Sequence, residues 1–363
     1  MKRLVFSNVI CLGVSFINNM LYEIIWQMQK VENLKKEIKF GDVIVKPGEI
    51  GFGTLTTVEL ADSTVVKLPI IVMNGAEDGP KLLISSAVHG GELVGVDVVR
   101  VMMREKLSPK KLKGAVIGIP IGNPLSFMFG ERASPQDHMF GPKFDRPGDP
   151  KGSITERLGA VVWDQVTSKM DLRIDIHGNY PPCTAFCLLS MHDPRIRDKS
   201  AKMAEATGLT IVYSSPKGTL VGMEAEYDES YQPPPSVTLE LIDARRVTNV
   251  STDLGVRAIL NVMKQWAMIE GEIEKQPKEY VWGNGRVENG GTLTANKGGI
   301  IHFTKIPGEF VRKGEIVAKI YNPYGDIAEE IEFPFDGYIR AYTYTSHQAV
   351  NTGDTIAYIT HDK

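Results

Sequence analysis

Four side chains in this 363-residue sequence have the types and placement for metal-assisted hydrolysis: His89, Glu92, His177 and Glu240. In S-S-A-V-H-G-G-E-L-V-G-V-D (Ser85 to Asp97) an apolar run ends at His89, two glycines allow a tight turn, and Glu92 stands where a helical pattern begins. A neutral imidazole and a carboxylate at that separation can share one zinc ion. The alternative is a His-Gly turn followed by a Glu that favours a helix amino terminus. In D-L-R-I-D-I-H-G-N-Y the alternation sends Leu172, Ile174 and Ile176 to one face and Arg173, Asp175 and His177 to the other, and Gly178 marks the strand's end. His177 thereby becomes the third candidate ligand. Two His and one Glu, with a fourth position open to water, form the ligand set of catalytic zinc, one ion per chain. Asp175 would accept the second ring N–H of a metal-bound imidazole and fix its tautomer.

Hydrolysis also needs a base. S-V-T-L-E-L (Ser236 to Leu241) reads as a short strand in which Thr238 and Glu240 alternate with Val237, Leu239 and Leu241, led in by Pro233 to Pro235. A lone strand Glu can equally face solvent; facing the metal, Glu240 would take a proton from the water that zinc activates and deliver it to the leaving nitrogen. The other five histidines, His138, His192, His302, His347 and His361, read as structural or solvent-facing. Cys183 and Cys187 read as two small buried thiols, since no second Cys/His pair at finger spacing accompanies them.

Such groups must be held by a sheet whose strands end at them. Alternation over Gly51 to Met73, then N-G-A-E-D-G-P, predicts a hairpin. Strands are predicted at Lys81 to Val88, Ala115 to Pro120, Leu172 to Ile176, Ile211 to Tyr213 and Val237 to Ile242. Helices are predicted at Glu92 to Lys106, Ile154 to Lys169, Arg195 to Thr207 and Leu254 to Ile269. The alternation implies an α/β fold, a mixed sheet with helices on both faces, with ligands at the carboxyl edge of the strands. From Trp282 to Ile359 helical spacing disappears, so a small all-β domain is expected at the carboxyl end. There P-G-E-F-V-R-K-G-E-I-V-A-K-I and F-P-F-D-G-Y-I resemble the half-barrel of lipoyl and biotinyl carriers, but the hairpin that would carry the modified Lys reads Y-N-P-Y-G-D-I-A-E-E-I. The expected organisation is an amino-terminal extension (1–45), a catalytic domain (46–280) and an unmodified β half-barrel (281–363).

A net charge of -3, from 41 Lys+Arg against 44 Asp+Glu, leaves no basic field for a polyanion, so no nucleic-acid partner is expected. Three cysteines are too few and too oddly counted for a disulfide framework, which points to a reducing, cytoplasmic setting. M-K-R-L-V-F-S-N-V-I-C-L-G-V-S-F imitates a signal peptide, yet polar residues interrupt it, no small-x-small site precedes Glu23, and the run is too short to span a bilayer. A start at Met20 or Met28 is the preferred reading, and no membrane partner is expected. A homo-oligomer is left open.

The ordered motifs H-G-G-E, N-P-x-x-F with a following Arg, P-G-D-P-x-G-S-x-T-E-R, D-x-H-G and T-x-E resemble the succinylglutamate desuccinylase/aspartoacylase family of the zinc carboxypeptidase superfamily, over about residues 50 to 275. The resemblance implies hydrolysis of a small N-acyl amino acid or related amine, with His89, Glu92 and His177 as zinc ligands and Glu240 as general base. Arg132 would polarise the scissile carbonyl. The family's D-x-D-L-N-R-x-F-P-G, whose Asn-Arg pair grips a substrate carboxylate, is replaced by D-H-M-F-G-P-K-F-D-R-P-G (Asp137 to Gly148). Lys143 or Arg146 would then supply the cation, a lysine without the bidentate fork of an arginine. The alternatives are a metallocarboxypeptidase acting on peptides and a metal- or ligand-binding protein without catalysis.

Overall fold

In the computed structural model the described residues are 36–133, 141–179, 183–214, 229–343 and 348–363. The amino-terminal segment up to residue 35, His138 and His347 lie outside them. The strands are β1 (Ile38–Phe40), β2 (Val43–Val45), β3 (Glu49–Glu59), β4 (Val65–Asn74), β5 (Glu77–Ser86), β6 (Lys113–Ile119), β7 (Leu172–Gly178), β8 (Phe186–Leu189), β9 (Ile211–Tyr213) and β10 (Ser236–Leu241). The carboxyl-terminal strands are β11 (Arg286–Thr294), β12 (Gly299–Phe303), β13 (Phe310–Val311), β14 (Ile316–Tyr321), β15 (Ile327–Glu332), β16 (Gly337–Tyr342), β17 (Gln348–Val350) and β18 (Thr355–Asp362). The α-helices are α1 (Val94–Val101), α2 (Pro124–Phe129), α3 (Ile154–Gln165), α4 (Arg197–Thr207) and α5 (Asn249–Gln265).

Twelve strands form one mixed sheet in the order β13-β16-β18-β11-β9-β8-β10-β7-β5-β6-β4-β3. Its centre is parallel, β6 with β5, β5 with β7 and β7 with β10, while β8 runs antiparallel to β10. The central strands are apolar on both sides because helices or loops cover both sides. Leu82, Ile84, Ile174, Ile176, Leu239 and Leu241 join α1, α4 and α5 in one core. Leu83, Ile117 and Ile119 join Leu158 and Val162 of α3 in a second core on the opposite face. Arg173, Asp175, His177 and Glu240 share that second face by alternation.

The sheet continues past residue 280, because β11 pairs in parallel with β9. The carboxyl-terminal strands nevertheless keep a core of their own around Ile301, Ile320, Phe333, Ile339 and Ile359. Beside it a four-stranded sheet runs β15-β14-β12-β17. A smaller cluster of Phe186, Val212, Trp282 and Val287, with Tyr338 against it, joins β8 and β9 to the carboxyl-terminal strands. No helix among the described residues is long and apolar enough to cross a membrane.

Element ends depart from the sequence expectation where a cap or a wide turn intervenes. Helix α1 stops at Val101 and passes into a π turn (Met102–Lys106), closed by Leu107 N–H donating to Met102 O at 3.0 Å. Helix α5 begins five residues before Leu254, because the Thr248 side chain accepts from Ser251 N at 3.3 Å and caps it. The hairpin of β3 and β4 turns at Leu60 to Thr64, with Ser63 at φ 66°.

Candidate metal and active site

The central strands deliver their polar residues to one edge. In the parallel register Glu240 stands opposite His177, and on the other side of β10 it stands opposite Phe186. His89 and Glu92 follow β5 on a turn held from several sides. Gly122 N–H donates to Ser86 O at 2.8 Å, Asn123 N–H to Ala87 O at 3.0 Å, and Leu93 N–H to Ala244 O at 2.7 Å. The chain leaves β5 through a buried Ala87 at φ 46° and leaves β10 through Asp243 at φ 64°. Left-handed backbone at a non-glycine residue persists only where its surroundings enforce it, and here it bends both strand exits beside the same edge.

The recurring motifs divide between chemistry and support. A Cβ on Gly90 would meet the backbone of Ser126 and Phe127 at 2.0–2.3 Å, so H-G-G-E lets α2 lie directly against the turn. Asn123 caps α2 by accepting from Ser126 N at 3.2 Å, and Pro124 follows it as the first helical residue. This places the loop that carries Arg132. In P-G-D-P-x-G-S-x-T-E-R, Ser153 and Glu156 form a reciprocal capping box at the start of α3.

His89, Glu92 and His177 each offer one ligand atom, all within 4.8 Å of one another. Glu92 Oε1 lies 2.8 Å from His89 Nδ1, and Oε2 lies 2.9 Å from His177 Nδ1. Gly178 N–H also donates to Glu92 Oε2 at 3.3 Å. The outer nitrogen of His177, Nε2, is 3.2 Å from Asp175 Oδ2. Asp175 accepts from Ser85 Oγ at 2.6 Å and pairs with Arg173 Nη2 at 2.7 Å. Both imidazoles therefore turn one nitrogen toward a common carboxylate, and one of them is braced behind by a hydrogen-bonded acid. Two imidazoles and a carboxylate suit a divalent ion, so the three side chains fit a metal.

The electrostatics follow from burial against close partners. Burial would raise the Glu92 carboxyl, but the imidazoles, His177 foremost, outweigh it and hold it down to about 2. Burial works the same way on Asp175, and Arg173, His177 and Ser85 pull it well below the usual carboxylate range. For His177 burial is opposed by Glu92 and Asp175, which leave it well above the ordinary imidazole value. His89 is lowered, chiefly by burial. In the metal-free site the proton therefore belongs on His177. Burial raises Glu240, with His177 opposing and Glu92 adding to the rise. A carboxylate raised in this way moves toward the range useful to a base near neutral pH.

Arg132 reaches the triad from outside: its side chain is 54% exposed and Nη1 is 3.6 Å from Glu92 Oε1. Lys143 is exposed and, among the described residues, pairs with none of the triad; its backbone lies against Gly159 of α3. Arg146 pairs with Asp145 at 3.0 Å and lines a cavity of about 110 Å³ with Arg173, His192, Arg195 and Thr238. Arg173 and Thr238 share the ligand face, two or more residues back along the strands, so Arg146 sits beside the triad's supports instead of at the strand ends.

Three neighbours of the site escaped the sequence reading. Ser85 is a buried partner of Asp175; Asn179 Nδ2 donates to Glu240 Oε2 at 3.1 Å; and Arg340 of β16 lies buried with its guanidinium 5.8 Å from the Phe186 ring centroid. Burial lowers the Arg340 guanidinium to about 10, against the opposing charge of Glu240. Period-two alternation from His177 back to Asp175 and Arg173 carries a signal for the bracing network. A residue some 100 positions beyond Glu240 carries none.

The catalytic-domain profile of the succinylglutamate desuccinylase/aspartoacylase family matches residues 78–266 of this chain. A curated relative, the N-alpha-acetyl-L-2,4-diaminobutyric acid deacetylase of Halomonas elongata, is 24% identical over 305 residues, covering 81% of this chain and 85% of that protein. The crystal structure of succinylglutamate desuccinylase/aspartoacylase from Rhodobacter sphaeroides is similar at TM-score 0.71 and 25% identity, covering 91% of this chain and 100% of that one. The product-bound ectoine utilization protein EutE (DoeB) from Ruegeria pomeroyi shares the fold at TM-score 0.72 and 18% identity, covering 91% of this chain and 99% of that one. The site's motifs, from H-G-G-E to T-x-E, lie within the matched span, and the chain belongs to the succinylglutamate desuccinylase/aspartoacylase family.

Proposed function

We propose that this protein is a zinc-dependent hydrolase of the amide bond of a small N-acyl amino acid or related amine. The observation that carries the reading is the convergence of His89, Glu92 and His177, with Glu240 at the next strand end, in a chain of this family. His89 Nδ1, His177 Nδ1 and a Glu92 oxygen would hold the ion. Zinc, when bound, supplies a Lewis acid that makes water nucleophilic near neutral pH. Glu240 takes the proton from that water on its carboxylate and passes it to the amide nitrogen, so amide and water become carboxylate and free amine. Asn179 fixes the Glu240 carboxylate by donating to Oε2. Arg132, half-exposed at the mouth of the site, stabilises negative charge developing on the carbonyl oxygen. Asp175 holds the His177 ring in place from behind.

The Halomonas elongata relative is named for removing an acetyl group, which makes N-acetyl amino acids the first substrates to try. Lys143 and Arg146 remain proposals as carboxylate contacts, weakened by Lys143's exposure and Arg146's pairing with Asp145. The separate core of the carboxyl-terminal strands supports a division of the chain near residue 280, and the free thiols of Cys183 and Cys187 support a cytoplasmic setting. The test is to purify the protein, measure zinc per chain, and follow amine release from a panel of N-acyl amino acids. About one zinc and release abolished by chelation or by Glu240→Gln is the expected result. Release that survives both treatments rejects the mechanism.

A further inference from the structure

A hydrolase of N-acyl amino acids meets a substrate that carries a carboxylate, and the chain lacks the Asn-Arg pair with which the resemblance would grip it. Three catalytic-domain cations have a weakness as a replacement. Lys143 is exposed, Arg146 pairs with Asp145 away from the strand ends, and Arg173 is committed to Asp175 beneath His177. A fourth cation comes from the carboxyl-terminal strands. His177, Glu240 and Phe186 stand side by side across β7, β10 and β8, one strand spacing apart and facing the same way. The Arg340 guanidinium lies over the last of these, 5.8 Å from the Phe186 ring centroid and 4.8 Å from that of Tyr358. A bridge between Cys183 and Ala341 stitches the β7–β8 connection to the strand that carries it.

Arg340 is only 5% exposed, and Glu240 is the carboxylate whose charge acts on it most strongly. Burying a guanidinium is expensive unless anions and aromatic faces surround it. Two aromatic faces are present, and the first strand end beyond them carries the proposed base. We propose that Arg340 is the specificity-determining residue that binds the α-carboxylate of the acylated amino acid, so that the carboxyl-terminal strands complete the substrate site. The planar guanidinium offers the bidentate fork that a carboxylate matches. This places the substrate's carboxylate on the Phe186 side of Glu240 and its acyl carbonyl on the His177 side, with the amide nitrogen within reach of the base. The inference rests on the proposed function.

The test compares an N-acetyl amino acid with its primary carboxamide, an isostere without the negative charge, in wild type, R340K and R340Q. Zinc content and melting temperature are measured alongside. Wild type is expected to prefer the carboxylate substrate by roughly a hundredfold in kcat/KM, the order of a charged pair with good geometry. R340Q should bring that preference near unity by raising KM for the carboxylate far more than for the carboxamide, whatever change in kcat the two substrates share. R340K, which keeps the charge and lacks the fork, should fall between, and it carries the test if R340Q does not fold. Equal losses on both substrates would make Arg340 a packing residue and overturn the inference, as would an unchanged preference. Wild type that releases amine from no member of the N-acyl amino acid panel overturns the proposed function and this inference with it, whereas the preceding outcomes overturn only the role of Arg340.

Discussion

The two faces of β7 carry opposite chemistry. Leu172, Ile174 and Ile176 enter a core with α1, α4 and α5, and none of the three ionises. Arg173, Asp175 and His177 lie on the other face, nearly as deeply buried, as an ion-paired row that runs from Arg173 to Asp175 and from Asp175 to His177. Apolar burial stabilises by area, about 25 cal/mol per Å², and tolerates imperfect partners. Buried charge is tolerable only when paired, so the second face has a required order along the strand: guanidinium, carboxylate, imidazole. The same division runs along β10, where Val237, Leu239 and Leu241 are core and Glu240 faces the site. One strand can thus anchor the fold and hold the chemistry rigid, because alternation keeps the two tasks apart.

Substitutions can break this comparison from either side. The largest effect is expected at the strand end that carries the base: Glu240→Gln should lower kcat by about 10²–10⁴-fold while zinc binding and melting temperature stay close to wild type. A variant that keeps more than about a tenth of the activity would remove Glu240 from the mechanism. Arg173→Met should come next, since it strands Asp175 as a buried carboxylate and destabilises by about 3–5 kcal/mol in chemical denaturation. A loss under about 1 kcal/mol would mean the ionic face is held by something else. On the apolar face Ile174→Ala should cost about 2–5 kcal/mol of stability with kcat within a few-fold of wild type. If kcat fell with stability, the two faces would not be separable.

Two smaller effects concern the metal. Asp175→Asn should weaken zinc affinity by about 10–100-fold in chelator competition, because His177 loses the acceptor that orients it, and an unchanged affinity would deny Asp175 that role. The raised His177 value sets the pH dependence. In the metal-free chain its protonated form contributes stability that is fully present below the ordinary imidazole range and is lost as pH rises through the elevated folded value. Metal must displace that proton, so affinity should climb with pH by up to about tenfold per unit until His177 deprotonates. An affinity flat between about pH 6 and pH 8 would contradict it.

Much of this architecture is legible in the sequence where local patterns are strong. The strand at Ile211–Tyr213 and the start of the helix at Ile154 match the sequence expectation, and in the structure Ser153 and Glu156 cap that helix. Strand β8, Phe186–Leu189, was missed because four apolar residues without alternation carry no period. The early start of α5 was missed because its first turn, N-V-S-T, looks like loop until the Thr248 cap is seen. The motif P-G-D-P-x-G-S-x-T-E-R is conspicuous as a string, yet its visible work is to cap a helix.

For the site itself, residue types and strand ends in the sequence nominate His89, Glu92, His177 and Glu240, because metal ligation and period-two alternation are local properties of a strand and its exit. The tertiary structure alone decides that Glu240 stands beside His177, that Arg146 lines a different cavity, and that an arginine from β16 lies over the neighbouring strand end. Those are pairings between segments distant in the chain. They depend on which strands become neighbours, and no stretch of sequence taken singly encodes its neighbour across a sheet.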